Sequence, residues 1–360
     1  MIRATVIAAA LAALAAPAAA ETVRIFNWSD YVGETTLADF TKATGIGTVY
    51  DVFDSNEILE TKLLTGGSGY DVVVPSAQPF FARQVQAGVY QPLDPARIPN
   101  LANLDPALMA KLAEADPGNR HGAIYQWGTT GFGYNIDMIA ARMADAPVDS
   151  WDMVFDPDVV SKFKDCGVTL LDSPSEMIPL ALHYLGLPPY SEAREDLDKA
   201  VALLASIHPF VRRYDSSGYI SALAQGDSCL AVGFSGDILQ AIIRAEEAGN
   251  GVRVDYVVPK EGTEIWFDVM AVPADAPNPD AAFAFIDFVL GPEAMAGVTN
   301  TVAYANAVPA SLPFVDEEIR DDPRIFPPQE VMDRLWPAKS ISDRTLRGWN
   351  RAFTGVKTGR

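Results

Sequence analysis

The sequence predicts an α/β protein of two lobes, each a mostly parallel sheet flanked by helices, with a hinge between them. Three observations lead there. From Thr22 to Asp94 the pattern runs strand, helix, strand, helix, strand, helix, the order that builds a largely parallel sheet. A second set of strands and helices follows between "DSWDMVFDP" and "VPKEG". "EIWFDVMAVPADA" then reads as a strand returning toward the first lobe, and two crossings between lobes make a hinge.

The first twenty residues, "MIRATVIAAALAALAAPAAA", have a positive start at Arg3, an alanine- and leucine-rich middle and small residues at Ala18 and Ala20. That is the pattern of a secretory signal peptide, too short and alanine-rich for a good spanning helix. Cleavage after Ala20 leaves 340 of the 360 residues, more than one core usually serves. "TVRIFNW" alternates around Val23, Ile25 and Phe26 as a strand. "ETTLADFTKATGI" spaces Leu37, Phe40 and Ala43 as a helix stopped at Gly45. "VYDVF" is a second strand and "DSNEILETKLLTGG" a helix, in which Asp54 and Glu57 have the spacing of a reciprocal cap.

"YDVVVPS" is a nearly continuous apolar run, the mark of a buried parallel strand, and "PFFARQVQAGVYQPLD" reads as the helix after it. "AIYQWGTTGFGYNIDMI" is extended and glycine-rich and carries the chain out of the first lobe. The second lobe then reads as "GVTLLDSP", the helix "REDLDKAVALLASIH", the strand "CLAVGFSGD", the helix "DILQAIIRAEEAGNG" and "RVDYVVPKEG". After the returning strand come the helix "NPDAAFAFIDFVLG", "TVAYANAV" and a final helix-like "DRTLRGWNRAFTGV". The expected lobes are 21–131 with 267–320, and 132–266 with 321–360, although pattern alone does not fix the place of the tail.

The formal net charge of −20, or −21 without Arg3, repels nucleic acid and anionic membrane faces and draws in cations over distance. An exported, soluble, monomeric protein is expected. In an oxidising compartment Cys166 and Cys229 form a disulfide by default, with two buried thiols as the alternative. Two cysteines and three scattered histidines (His121, His183, His208) show no ligand spacing, so no metal or other cofactor is expected.

Two glycine-rich stretches fail as catalytic motifs. "GFSGD" places a glycine directly after Ser235, one residue too early for a nucleophile elbow. "TGGSGYD" has no Lys-Ser/Thr pair and follows a helix, so it reads as a helix stop and turn. The substantive candidates are carboxylates in aromatic company. Asp30 ends the first strand between Trp28 and Tyr31; Asp237 ends "CLAVGFSGD" after Phe234; Asp268 follows Trp266 and Phe267 in the returning strand. Glu176 follows "LLDSP", and Tyr304 lies in "AYANAV". Each alone reads first as a cap, turn or solvated side chain. Together they suit a slender ligand with an alkyl body and positive ends, because ring faces attract cations and carboxylates anchor ammonium groups. Since ligands sit beyond the carboxyl ends of strands in such sheets, the loops "FNWSDYV" and "PSAQ" are expected to open onto one crevice. No pattern favours an enzyme.

These motifs carry a resemblance. In "NWSDY", "YDVFDSNE", "DVVVPSA", "FDPDVVSKFKDCGV", "GFSGD", "VPKEG", "WFDVMAVPADA" and "YANA" the chain resembles the periplasmic polyamine-binding proteins of ABC importers, its putrescine-binding branch above all. The resemblance implies a type II periplasmic binding protein fold that closes on putrescine or spermidine and meets permease subunits in the inner membrane. It implies that Trp28 and Tyr31 wall the methylene chain, with Ser29 and Asp30 giving backbone, hydroxyl or water-bridged contacts. Ser76 bonds an amine, Glu176 meets one ligand end, Asp237 and Asp268 take ammonium groups, and Tyr304 closes the box. Cys166 and Cys229 match the family's disulfide.

Some residues depart from the putrescine-binding pattern. Phe234 stands where a tryptophan is expected and Trp266 where such binders tend to carry phenylalanine; Gln78 and Ser173 also sit where members differ in specificity. The alternatives kept open are a polyamine-sensing receptor with a membrane signalling partner, a binder of another amine such as agmatine, an amine-handling enzyme, and an amino-acid or iron binder of similar architecture.

Overall fold

The computed structural model describes residues 21–359; the expected signal peptide, residues 1–20, lies outside the described residues. The first strands are β1 (Thr22–Trp28), β2 (Gly47–Phe53) and β3 (Val72–Val73), followed by the long β4 (Gly122–Asn135). Next come β5 (Val168–Leu170), β6 (Arg213–Tyr214), β7 (Leu230–Phe234) and β8 (Val254–Val257). The last are β9 (Glu264–Ala271), β10 (Ala305–Asn306) and β11 (Trp336–Pro337).

Every residue of β4 is buried, and its two halves serve different neighbours. Gly122 to Thr129 pair antiparallel with β9, while Thr130 to Asn135 pair antiparallel with β7 and β8. One unbroken strand therefore passes from one set of strands to the other. On one side β2, β1 and β3 run parallel, and β9 enters antiparallel to β3. On the other side β7, β5 and β6 run parallel. The parallel cores match the alternating sequence pattern, and the antiparallel pairings are those of the strands β4 and β9 that join them.

Local chemistry sets the element ends. The helix Thr36–Thr44 stops where Gly45 takes φ 77° and its N–H reaches the Thr41 carbonyl, a left-handed conformation that glycine adopts without strain. The helix Asn56–Leu64 is capped by Ser55, whose side chain accepts from the Ile58 N–H, so the expected cap from Asp54 is not the one formed. The strand in "CLAVGFSGD" stops at Phe234, and Asp237 lies in the first turn of the helix Ser235–Ala248. The segment after β3 is helical only as far as Gln86, because Gly88 turns left-handed at φ 71°. The final helix, Asp343–Lys357, packs on the helices Pro174–Tyr184 and Arg194–Ile207.

Cys166 and Cys229 are disulfide-bonded with Cα atoms 5.5 Å apart. They stand just before β5 and β7, which are parallel neighbours, so the bridge ties the amino ends of those strands. The loop it closes, 63 residues apart in sequence, predicts a contribution of about 2 to 5 kcal/mol through the unfolded chain. Replacing both cysteines by alanine is expected to lower urea-unfolding stability by that amount. Ligand affinity is expected to stay within about twofold, because the cavity described next lies at the carboxyl end of β7.

Candidate functional site

Where the two sets of strands meet, a cleft enclosing about 520 Å³ of empty space, open solvent included, lies beyond the ends of β1, β3 and β7 and against β9. Ten of the eleven residues singled out in the sequence line it: Trp28, Ser29 and Tyr31 after β1, Ser76 after β3, Glu176 in the helix Pro174–Tyr184, Phe234 and Asp237, Trp266 and Asp268 on β9, and Tyr304.

Asp30 is the exception. It takes φ 53°, a turn that sends its carboxylate to Arg244 at 2.8 Å on the helix Ser235–Ala248. Its backbone carbonyl accepts from Gln240 Nε2 at 3.3 Å. Asp30 thus ties the loop after β1 to that helix without its side chain lining the cavity.

The "GFSGD" sequence is explained by what surrounds Asp237. A Cβ at Gly233 would lie 2.3 Å from the Tyr219 ring, and one at Gly236 would lie 2.4 Å from the Tyr304 ring. Glycine at both positions admits the two phenols against the carboxylate. Tyr219 donates to Asp237 Oδ2 at 2.7 Å and Tyr304 to Oδ1 at 2.8 Å. Each hydroxyl also accepts a backbone N–H, from Phe234 at 3.0 Å and from Asp237 itself at 3.2 Å. Those accepted bonds fix both phenols as donors toward the acid.

Asp268 is held differently. Ser76 Oγ donates to Asp268 Oδ1 at 2.7 Å, and Asn56 fixes the serine by donating to Ser76 Oγ and accepting from its N–H, each at 3.0 Å. Glu176 Oε2 accepts from Thr130 Oγ1 at 3.1 Å. Aromatic rings complete the walls. Tyr31, Tyr304, Trp266 and Phe234 follow one another edge to face with centroids 5.2, 5.3 and 5.6 Å apart. Trp28 anchors its indole N–H on the Val74 carbonyl at 2.9 Å.

The carboxylates are the unusual feature. Asp237 and Asp268 are 8% and 4% exposed, and among the described residues neither they nor Glu176 forms an ion pair. Burial pushes the Asp237 carboxyl up to about 6, against the hydrogen bonds of Tyr219 and Tyr304. It pushes Asp268 up to about 7, despite the bond from Ser76. Glu176 is raised to about 7 by burial, with Glu57 and Asp268 adding to the rise. Buried acids without cations cost free energy when ionised, so this cavity is shaped to receive positive charge.

Several lining residues had not been singled out. Phe53 and Asp54 end β2 and follow it, so the rule that drew attention to β1 and β3 also covered them. Ser216, Ser217 and Ile220 follow β6, a strand of two residues whose sequence carries no periodicity. Of the two specificity positions, Gln78 lines a second cavity that Trp266 also borders. Ser173 stands just before the helix that carries Glu176 without capping it through its side chain, and its hydroxyl pairs with Ser175 at 2.9 Å.

A sequence profile of the bacterial extracellular solute-binding proteins matches residues 35–327. The chain belongs to that family. The putrescine-binding periplasmic protein SpuD of Pseudomonas aeruginosa is 49% identical over 98% of this chain and 96% of its own length. The putrescine-binding periplasmic protein PotF of Escherichia coli is 46% identical over 94% of this chain and 92% of its own. Among solved structures, the spermidine/putrescine ABC transporter substrate-binding protein PotD of Streptococcus pneumoniae superposes with a TM-score of 0.74 at 29% identity, covering 94% of this chain and 99% of that one.

For this solute-binding protein the raised acids set the sign of a pH dependence. The folded, ligand-free chain holds protons on Asp237, Asp268 and Glu176 that the unfolded chain has already released. Stability from these groups is therefore full below the ordinary carboxylate range and is lost as pH rises through about 6 to 7. The melting temperature of the ligand-free protein is expected to fall between about pH 5 and 8. Asp268→Asn should flatten that fall; an equal slope in the variant would contradict the assignment.

Proposed function

We propose that this solute-binding protein captures a polyamine between two lobes, 21–131 with 267–320 and 132–266 with 321–360, and delivers it to the permease subunits of an ABC importer. The observation that carries the proposal is the set of buried carboxylates, Asp237, Asp268 and Glu176, enclosed by aromatic rings with no cationic side chain paired to them among the described residues. The printed functions of SpuD and PotF, with coverage of nearly the whole chain, support it. Like them it works in the periplasm, by capture and not by turnover.

In this mechanism the ammonium groups of the ligand replace the protons that the buried acids hold. Each charge-assisted hydrogen bond forms in a water-poor space, where it is stronger than on a surface. Trp28, Tyr31, Phe234, Trp266 and Tyr304 face the methylenes and contribute about 0.5 to 2 kcal/mol each toward a nearby cation. Ser29 and Ser76 add polar contacts. Because both lobes supply groups, only the closed arrangement surrounds the ligand, so binding and closure are linked. β4 and β9 make the crossings about which the lobes move. An ammonium group out of register leaves a buried carboxylate unpaired, at a cost of about 2 to 5 kcal/mol, which filters ligands by length.

Titration calorimetry of Asp237→Asn and Asp268→Asn with putrescine and spermidine tests the site. Each variant is expected to lose affinity by about 100-fold or more. Neither should lose stability at pH 8, since each removes a buried charge. Unchanged affinity in both variants would contradict the assignment, and absence of binding by the unmodified protein to any polyamine would contradict the ligand class.

A further inference from the structure

Glu264 opens β9 and attracted no attention in the sequence. It is 3% exposed, and its Oε2 has no hydrogen-bond partner among the described residues. Strand geometry sets it on the cavity face of β9, beyond the residues that line the cavity. Side chains two apart share a face, so Glu264, Trp266 and Asp268 stand in a row, and the latter two line the cavity. Four strand residues cover about 13 Å, which takes the row from one acidic end, past an indole, to a second acidic end.

The neighbouring strand places a partner there. Gly128 faces Trp266 and Thr129 faces Ile265, so the next residue of β4, Thr130, comes opposite Glu264. Residues opposite each other on antiparallel strands point to the same face, and Thr130 is the residue that donates to Glu176. Glu264 therefore stands near Glu176, whose negative charge adds to burial in opposing ionisation of Glu264. Tyr190 is turned toward Glu264 and works against the rise, although neither its hydroxyl nor Glu264 Oε2 has a partner at hydrogen-bonding geometry among the described residues. Glu57 and Asp268 add negative charge on the Glu176 side, and no cationic side chain contributes at either glutamate.

We propose that Glu264 and Glu176 together form a receptor for a third ammonium group, which makes this chain prefer a triamine to a diamine. Resting on the polyamine reading above, the assignment gives the diamine ends to Asp237 and Asp268 and the additional cation to Glu176. Glu264 is a positioning residue: it does not touch the ligand, but its charge deepens the attraction that Glu176 presents to the cavity. Without a third cation the two glutamates share a proton, since like charges in a buried site cannot both ionise cheaply. A triamine supplies the charge that lets both ionise.

The test is calorimetric titration of the unmodified protein, Glu264→Gln and Glu264→Asp with putrescine and with spermidine. The unmodified protein is expected to bind spermidine more tightly. Glu264→Gln should weaken spermidine by about tenfold or more and putrescine by less than about twofold, while Glu264→Asp keeps the preference. A putrescine preference in the unmodified protein overturns the proposal, as does an equal change for both ligands or none for either in Glu264→Gln. Those outcomes leave the polyamine reading standing, whereas failure of the unmodified protein to bind either amine overturns that reading itself.

Discussion

The structure turns on burying carboxylates that have no cation of their own. A core acid is ordinarily paired, because an unpaired buried charge costs several kcal/mol. Among the described residues the hydrogen bonds to Asp237, Asp268 and Glu176 come from hydroxyls, those of Tyr219 and Tyr304, Ser76, and Thr130, with Arg244 acting on Asp237 only by its charge, without an ion pair. Hydroxyl donors fix the orientation of an acid without cancelling its charge. The site is therefore pre-organised yet electrostatically unfinished, and the missing positive charge is what a ligand supplies. Stability of the empty protein is given up for that purpose, the exchange expected where a site must stay strained to function.

The backbone around these acids follows from the same demand. Gly233 and Gly236 leave room for the two phenol rings beside Asp237. Gly128 does the same for the indole of Trp266, since a Cβ there would come within 2.8 Å of it. β4 brings the groups together by running through both sets of strands, so that Thr130 and the neighbours of Trp266 belong to one continuous element. The disulfide holds the opposite ends of β5 and β7, away from the surfaces that meet the ligand. Rigid support and ligand contact are thus separated along the same strands.

Much of this was legible in the sequence because strand ends in an α/β sheet announce themselves. The runs before Trp28, Ser76 and Phe234 are apolar and bounded by turn residues, so the loops after them were readable as one crevice. What escaped notice depends on pairing across long stretches of chain. Asp30 has the right neighbours in sequence, but a left-handed turn and Arg244 take its carboxylate elsewhere. Tyr219 and Asn56 act through hydroxyl and amide contacts to residues 18 and 20 positions away, which no local pattern encodes. Glu264 gains its environment only when β4 aligns with β9. Ser216 and Ser217 follow a strand too short to show a period.

The most direct measurement is a count of protons exchanged on binding, from spermidine titrations at pH about 6.5 in two buffers of different ionisation heat. If ammonium groups replace protons on Asp237, Asp268 and Glu176, roughly one or more protons should be released per ligand, and the release should shrink as pH rises above about 7. Tight binding with no proton release at pH about 6.5 would contradict the account, because the acids would then have been ionised and satisfied before the ligand arrived.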